Sequence, residues 1–132
     1  MIELDHVIVP ARARVAAART LAGLLGVSWD ETAFGVFSPV YVNEGLTLDF
    51  FQTTDAFPVE HYCFRVGEAE FDAILARIVK AGIDYRSHVH GPVNHRVSHD
   101  DGGRGVYWNV PEGHQWEMLT VSYARAMKQS FS

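Results

Sequence analysis

A pattern of residues occurs twice in the amino-acid sequence, and this repeat constrains the fold more than any other feature. In each half an apolar residue, an acidic residue and a histidine precede a short apolar run, and the histidines are His6 and His61. Apolar residues with helical spacing follow, and a glycine ends each helical segment 20 or 21 residues after the histidine, at Gly26 and Gly82. The sequence therefore predicts two copies of one supersecondary unit.

The later part of each half repeats as well. A Glu-Gly turn is followed, after three residues, by an acidic residue within an apolar strand, and these acidic residues are Asp49 and Glu117. Short runs of strand-forming residues precede the two turns, over residues 34–42 and 105–110. Each half thus predicts a strand, a helix and three further strands, which is a βαβββ unit.

The length of 132 residues favours one domain, and a net charge of −5 without a basic run argues against a nucleic-acid partner. The acidic N-terminus lacks the pattern of a signal peptide, and no apolar stretch is long enough to span a membrane, so we expect a cytoplasmic protein with no membrane partner. Cys63 is the only cysteine and lies in an apolar strand pattern. We expect its side chain to be buried.

This doubled unit, with a histidine opening each half and a carboxylate on its last strand, resembles the vicinal oxygen chelate superfamily. That superfamily includes glyoxalase I, fosfomycin-resistance proteins, extradiol dioxygenases and bleomycin-resistance proteins. The resemblance covers residues 4–123, and residues 103–114 are similar to the closing hairpin of the family. The resemblance implies an α+β fold in which the strands of both modules form a cup-shaped mixed sheet with the helices outside. It implies a single domain over residues 1–132, with module one at about 1–55, module two at about 58–123 and a C-terminal tail at 124–132.

The resemblance also implies one divalent metal ion, either Fe, Ni, Mn or Zn, bound by His6, His61 and Glu117. Strand alternation places both histidines on the face that points away from the helices, and two imidazoles with one carboxylate leave open positions on a metal. Asp49 occupies the position of a fourth ligand that is normally Glu in bacterial glyoxalase I, and it is also a candidate catalytic base. The structural alternative is that the histidines bond to backbone groups in the core and that the carboxylates are salt-bridged or merely line the cup.

The second half is longer than the first because it contains an extended loop, residues 86–104, with four of the seven histidines. Long loops in compact domains are often functional. We predict a mobile cover in which Asn94 and Arg104 bind the substrate and His95 transfers a proton, with Tyr107 as a further substrate-binding residue. The alternatives are a solvated connection or a separate zinc site formed by the histidines.

These patterns favour a metal-dependent enzyme that acts on a small organic substrate with adjacent oxygens. The reaction is either that of a lyase or isomerase, or that of a ring-cleaving dioxygenase. The alternative is a metal-free protein that binds a drug or metabolite, as bleomycin-resistance proteins do. We expect a homodimer, because a short chain with apolar strands leaves edges to cover, and His6 could then complete the site of the partner.

Overall fold

A computed structural model describes residues 1–125 of the chain and confirms the α+β architecture. No helix within these residues is both long and apolar enough to cross a membrane. Residues 126–132, which form most of the predicted tail, lie outside the described part. The elements in chain order are β1 (His6–Ala11), α1 (Arg14–Leu25), β2 (Phe37–Asn43), β3 (Leu46–Gln52), β4 (His61–Arg65), α2 (Glu68–Lys80), β5 (Tyr85–Arg86), a 3₁₀ turn (Asp100–Gly102), β6 (Gly105–Trp108) and β7 (Gln115–Leu119).

The chain forms two compact units, each with its own open, mixed sheet. The first unit comprises Met1–Glu60 together with Val110–His114, and the second comprises residues 61–109 and, of the described residues, 115–125. In the first unit the strand order is β1-β3-β2, with β1 parallel and β2 antiparallel to β3. In the second unit the order is β4-β7-β6-β5, with β4 parallel and β6 antiparallel to β7. The second unit therefore has the βαβββ element order that the repeat predicts, and the first unit has one named strand fewer.

The register of the parallel strand pairs repeats between the units. Ile8 lies opposite Asp49 in the first sheet, and Cys63 lies opposite Glu117 in the second. In both sheets the acidic residue is therefore paired with the residue two positions after the histidine. Because side chains two positions apart share a face of a strand, each histidine and its acidic residue share a sheet face.

The opposite face of each sheet is buried. In β1, Val9 and Ala11 are fully buried beneath α1, whereas His6 and Ile8 are exposed. In β7 the neighbours of Glu117 on the other face, Trp116 and Met118, are also fully buried, and the Trp116 ring stacks on that of Phe64. Burial of the apolar faces stabilises the two sheets, and the faces that carry His6 and His61 line cavities.

Three details differ from the sequence-based expectations. The first unit has three named strands, and an isolated bridge between Trp29 and Val40 takes the place of the fourth. Strand β2 begins at Phe37 rather than at residue 34, because the chain turns sharply just before it. Cys63 is exposed rather than buried, since strand alternation places it on the same open face as His61.

Candidate functional site

A chain of polar side chains crosses the open face of the second sheet. The parallel strands β4 and β7 carry His61 and Glu117, and Nε2 of His61 lies 2.8 Å from Oε1 of Glu117. The Tyr123 hydroxyl donates to both carboxylate oxygens of Glu117, at 2.8 and 2.7 Å, and the Tyr107 hydroxyl lies 3.3 Å from that of Tyr123. Glu117 is only 1% exposed, so these partners compensate for the loss of water around a buried carboxylate.

Burial and the Glu117 charge keep the neighbouring weak acids protonated. Although Cys63 lies at the exposed surface of the sheet, partial loss of water around its thiol is the largest cause that raises its pKa, to about 12, and the adjacent Glu117 carboxylate raises it further. Burial is also the main reason why the pKa values of Tyr107 and Tyr123 lie above their ordinary value. Both phenols and the thiol are therefore neutral near pH 7.

Two cavities of the second unit share Glu117 and Tyr123 in their walls. One has a volume of about 310 Å³ and extends past Tyr107 and Arg104 to the loop that follows β5. The other has a volume of about 370 Å³, and its walls include His61, Cys63 and Arg65 of β4. The buried Glu117 side chain thus forms part of the walls of two cavities.

The first unit carries the equivalent pair on its open sheet face. His6 and Asp49 line a cavity of about 430 Å³ together with Tyr41, whose hydroxyl donates to Asp30 at 2.6 Å. Burial raises the pKa of Asp49, and the neighbouring His6 opposes this rise. Nδ1 of His6 lies 2.8 Å from a carboxylate oxygen of Asp5, and this hydrogen bond is the main cause that raises the pKa of His6.

The donor atoms in each unit are of the types that bind divalent transition metals. Each unit brings one imidazole and one carboxylate to an open sheet face, and such ligands suit Fe, Mn, Ni and Zn. No group of three or more His, Cys, Asp or Glu side chains within residues 1–125 is arranged to hold a metal ion. The buried Glu117 carboxylate nevertheless fits a metal ligand, because it lines two cavities and a histidine nitrogen already lies within hydrogen-bonding distance of it.

Comparison with solved structures identifies the family. The structure called oxidase ChaP-H2 is 38% identical to this chain, with a TM-score of 0.88 over 94% of this chain and 97% of that one. Oxidase ChaP-H1 is 40% identical, with a TM-score of 0.87 over 95% of this chain and all of that one. A glyoxalase/dioxygenase from Nostoc punctiforme shares the fold at 21% identity, with a TM-score of 0.66 over 91% of each chain. The chain belongs to the family of these two ChaP-H oxidases, and it has the fold of the vicinal oxygen chelate superfamily. No family model and no curated protein matches the sequence.

The long loop after β5 is ordered by hydrogen bonds among its own residues and its neighbours. The Asn94 amide bonds to Ser87 and to the backbone of Arg96, and thus orders the loop from within. Nε2 of His95 lies 2.9 Å from Asp84, and both residues line a different cavity, of about 340 Å³. The structure therefore does not bring Asn94 or His95 to the walls of the Glu117 cavities, and their predicted roles remain predictions.

Arg104 and Tyr107, in contrast, both line the cavity of about 310 Å³ beside Glu117. The Arg104 guanidinium is already bound by two carboxylates of α2, at 2.6 Å from Glu68 and 2.7 Å from Asp72. It also lies over the Phe71 ring. Arg104 is thus a fixed part of the cavity wall whose charge is largely balanced by its neighbours.

Two features of this site were not predicted from the sequence. Tyr123 follows β7 by only four residues, and its position after the strand that carries Glu117 was the available signal. The other feature is a chain from Ser87 Oγ to His88 Nδ1, at 2.8 Å, and from His88 Nε2 to Asp100, at 3.0 Å. These residues line the same cavity as Tyr107, and their spacing in the sequence shows no recognisable motif.

Proposed function

We propose that this protein is a metal-dependent oxidase that acts on a small organic substrate with two adjacent oxygens. The observation that carries the proposal is the Glu117 carboxylate, which is buried yet lies on a concave surface beside His61 and two phenols. The two solved relatives at 38% and 40% identity are both called oxidases, and this supports oxidation over the lyase or isomerase reaction.

We propose His6, His61 and Glu117 as the metal ligands, with Asp49 as a fourth ligand or as the acceptor for a proton from the substrate. Two histidines and one carboxylate are the ligand set of non-haem Fe(II) oxygenases, which leaves positions for substrate and oxygen. Bound iron or manganese would supply redox chemistry, whereas zinc or nickel would supply only the polarisation of an oxygen. An oxidase reaction therefore favours iron or manganese.

The chain's own residues have distinct tasks in this proposal. Tyr107 and Tyr123 offer neutral hydroxyl groups beside Glu117, which suit hydrogen bonding to substrate oxygens. Asp49 is a suitable base because burial raises its pKa and so makes it a better proton acceptor. Arg104, which is fixed by Glu68 and Asp72, shapes the wall of the cavity.

Metal content is the first test. After reconstitution with Fe(II), Mn(II), Ni(II) or Zn(II), we expect about one ion per chain by elemental analysis. Glu117→Ala should lose most of this metal, and Glu44→Ala, which removes an exposed carboxylate from a turn, should retain it. A wild-type protein without metal, or full occupancy in Glu117→Ala, would contradict the proposal.

Oxygen consumption distinguishes the reaction classes. The Fe(II)-loaded protein should consume oxygen with a catechol and should not convert a 2-oxoaldehyde hemithioacetal, which is the type of substrate that a glyoxalase-like lyase uses. Conversion of the hemithioacetal without oxygen uptake would indicate the lyase instead. Binding of either compound by metal-free protein, without turnover, would indicate the binding protein that the sequence also allows.

A further inference from the structure

A hairpin tip beside the His6 cavity holds an aromatic residue in an unusual conformation. The backbone groups of Ala33 and Phe37 bond to each other in both directions, at 2.8 and 3.2 Å, so residues 34–36 form a closed three-residue tip. Phe34 has a φ of +50° and Gly35 a φ of +78°. Positive φ is ordinary for glycine but strained for a bulky side chain such as that of Phe34.

Packing within the chain does not explain why phenylalanine occupies this position. The Phe34 side chain is 94% exposed, so its ring gains almost nothing from burial in the first unit. A glycine or asparagine would adopt the same backbone conformation at lower cost. The exposed ring thus adds no stability that would offset the strained backbone, and strain of this kind typically persists where it serves a function.

Phe34 lies beside the space that a ligand of His6 and Asp49 would occupy. Phe34 lines the cavity of about 430 Å³ whose walls also include Tyr41 and Phe37. We propose that Phe34 is a specificity-determining residue, whose ring covers the flat face of the substrate while its adjacent oxygens are bound beside His6 and Asp49. The inference rests on the proposed function, because it assigns the recognition of the substrate's ring at that same site.

Two variants of the same hairpin tip test this inference. Phe34→Gly should raise Tm by a few degrees, because it relieves the positive φ, and should weaken binding of 4-nitrocatechol to the Fe(II)-loaded protein about tenfold. Val36→Gly is the matched control, since Val36 belongs to the tip but does not line the cavity. It should lower Tm slightly and leave binding unchanged. Phe34→Tyr should restore binding, because it restores an aromatic ring.

The informative result is that Phe34→Gly raises Tm but weakens binding. Calorimetric unfolding measures the first effect, and calorimetric titration with 4-nitrocatechol measures the second. A residue with only a structural role would lose stability when truncated, so a lower Tm would overturn the inference. Equal binding by the wild type and by Phe34→Gly would overturn it while leaving the proposed function intact. Absence of binding by the wild type would overturn both. A change in sedimentation on Phe34→Gly would instead assign the ring to a contact between copies of the chain and would also overturn it.

Discussion

At the scale of single residues, His114 shows how a buried imidazole can serve the fold alone. Its side chain is fully buried in the first unit, where Nε2 donates to the carbonyl of Pro10 at 2.9 Å and Nδ1 accepts from the backbone N–H of Glu60 at 3.0 Å. We expect His114→Ala to reduce the free energy of unfolding by about 2–4 kcal/mol, because it leaves a cavity and deprives two partly buried backbone groups of these bonds. Urea denaturation measures this, and the exposed His90→Ala should change it by less than about 0.5 kcal/mol.

Residue-level features of the site were predictable where strand alternation decides them. Strand alternation places His6, His61 and Glu117 on the sheet faces opposite to the buried Val9 and Trp116, because neighbouring side chains point to opposite faces. The same rule, applied to Cys63, would have corrected the expectation that it is buried. The contact of Tyr123 with Glu117 depends on the path of the chain after β7, and no periodicity encodes that path.

At the scale of elements, the two glycines of the first helix have opposite tasks. Gly26 ends α1 with a φ of +73°, and its N–H bonds to the carbonyl of Ala22 at 2.8 Å. Gly23 lies inside α1, with no atom within 4 Å of a Cβ placed there. We expect Gly26→Ala to lower the free energy of unfolding by about 1 kcal/mol and Gly23→Ala to raise it by about 0.5–1 kcal/mol. Equal signs in urea denaturation would contradict the capping role of Gly26.

The loop between β5 and β6 gives a pH-dependent prediction. A hydrogen bond from His88 is the main cause that lowers the pKa of Asp100 below its ordinary value of 3.8, and Ser98 contributes a second bond. Because the fold lowers this pKa, the interaction stabilises the protein above about pH 3.8 and is lost as the pH falls through the folded-state value. We expect His88→Ala to move the pKa of Asp100 back upward, as measured by carboxyl ¹³C NMR titration. An unchanged titration of Asp100 in His88→Ala would show that Ser98 alone accounts for the shift.

Element types followed from the sequence more reliably than element edges. Helical spacing and a terminal glycine were sufficient for α1, and the repeat carried the prediction to the second half. The start of β2 was not predictable, because the strand-forming residues Phe34 and Val36 belong to a tight tip instead. The short strand β5 was not predictable either, since two residues are too few to show an alternating hydrophobic pattern.

At the scale of the whole molecule, we expect a homodimer, and a mixing experiment decides whether its metal sites are shared. His6→Ala and Glu117→Ala each remove one proposed ligand, so neither variant alone should hold metal. If each site combines His6 of one copy with Glu117 of the other, random mixing after unfolding and refolding together should restore about a quarter of the wild-type metal content. If each chain forms its own site, mixing should restore none, and elemental analysis separates the outcomes.

The chain leaves the second unit after Asn109, contributes Val110–His114 to the first unit, and returns at Gln115. Protein synthesis proceeds from the N-terminus, so residues 1–60 emerge from the ribosome well before this segment does. Because His114 bonds to both Pro10 and Glu60, the first unit lacks part of its own interior until residues 110–114 have been translated. The first unit therefore cannot complete its fold before residues 110–114 are available. In ribosome-bound chains that stop before residue 110, residues 1–60 should be sensitive to proteases.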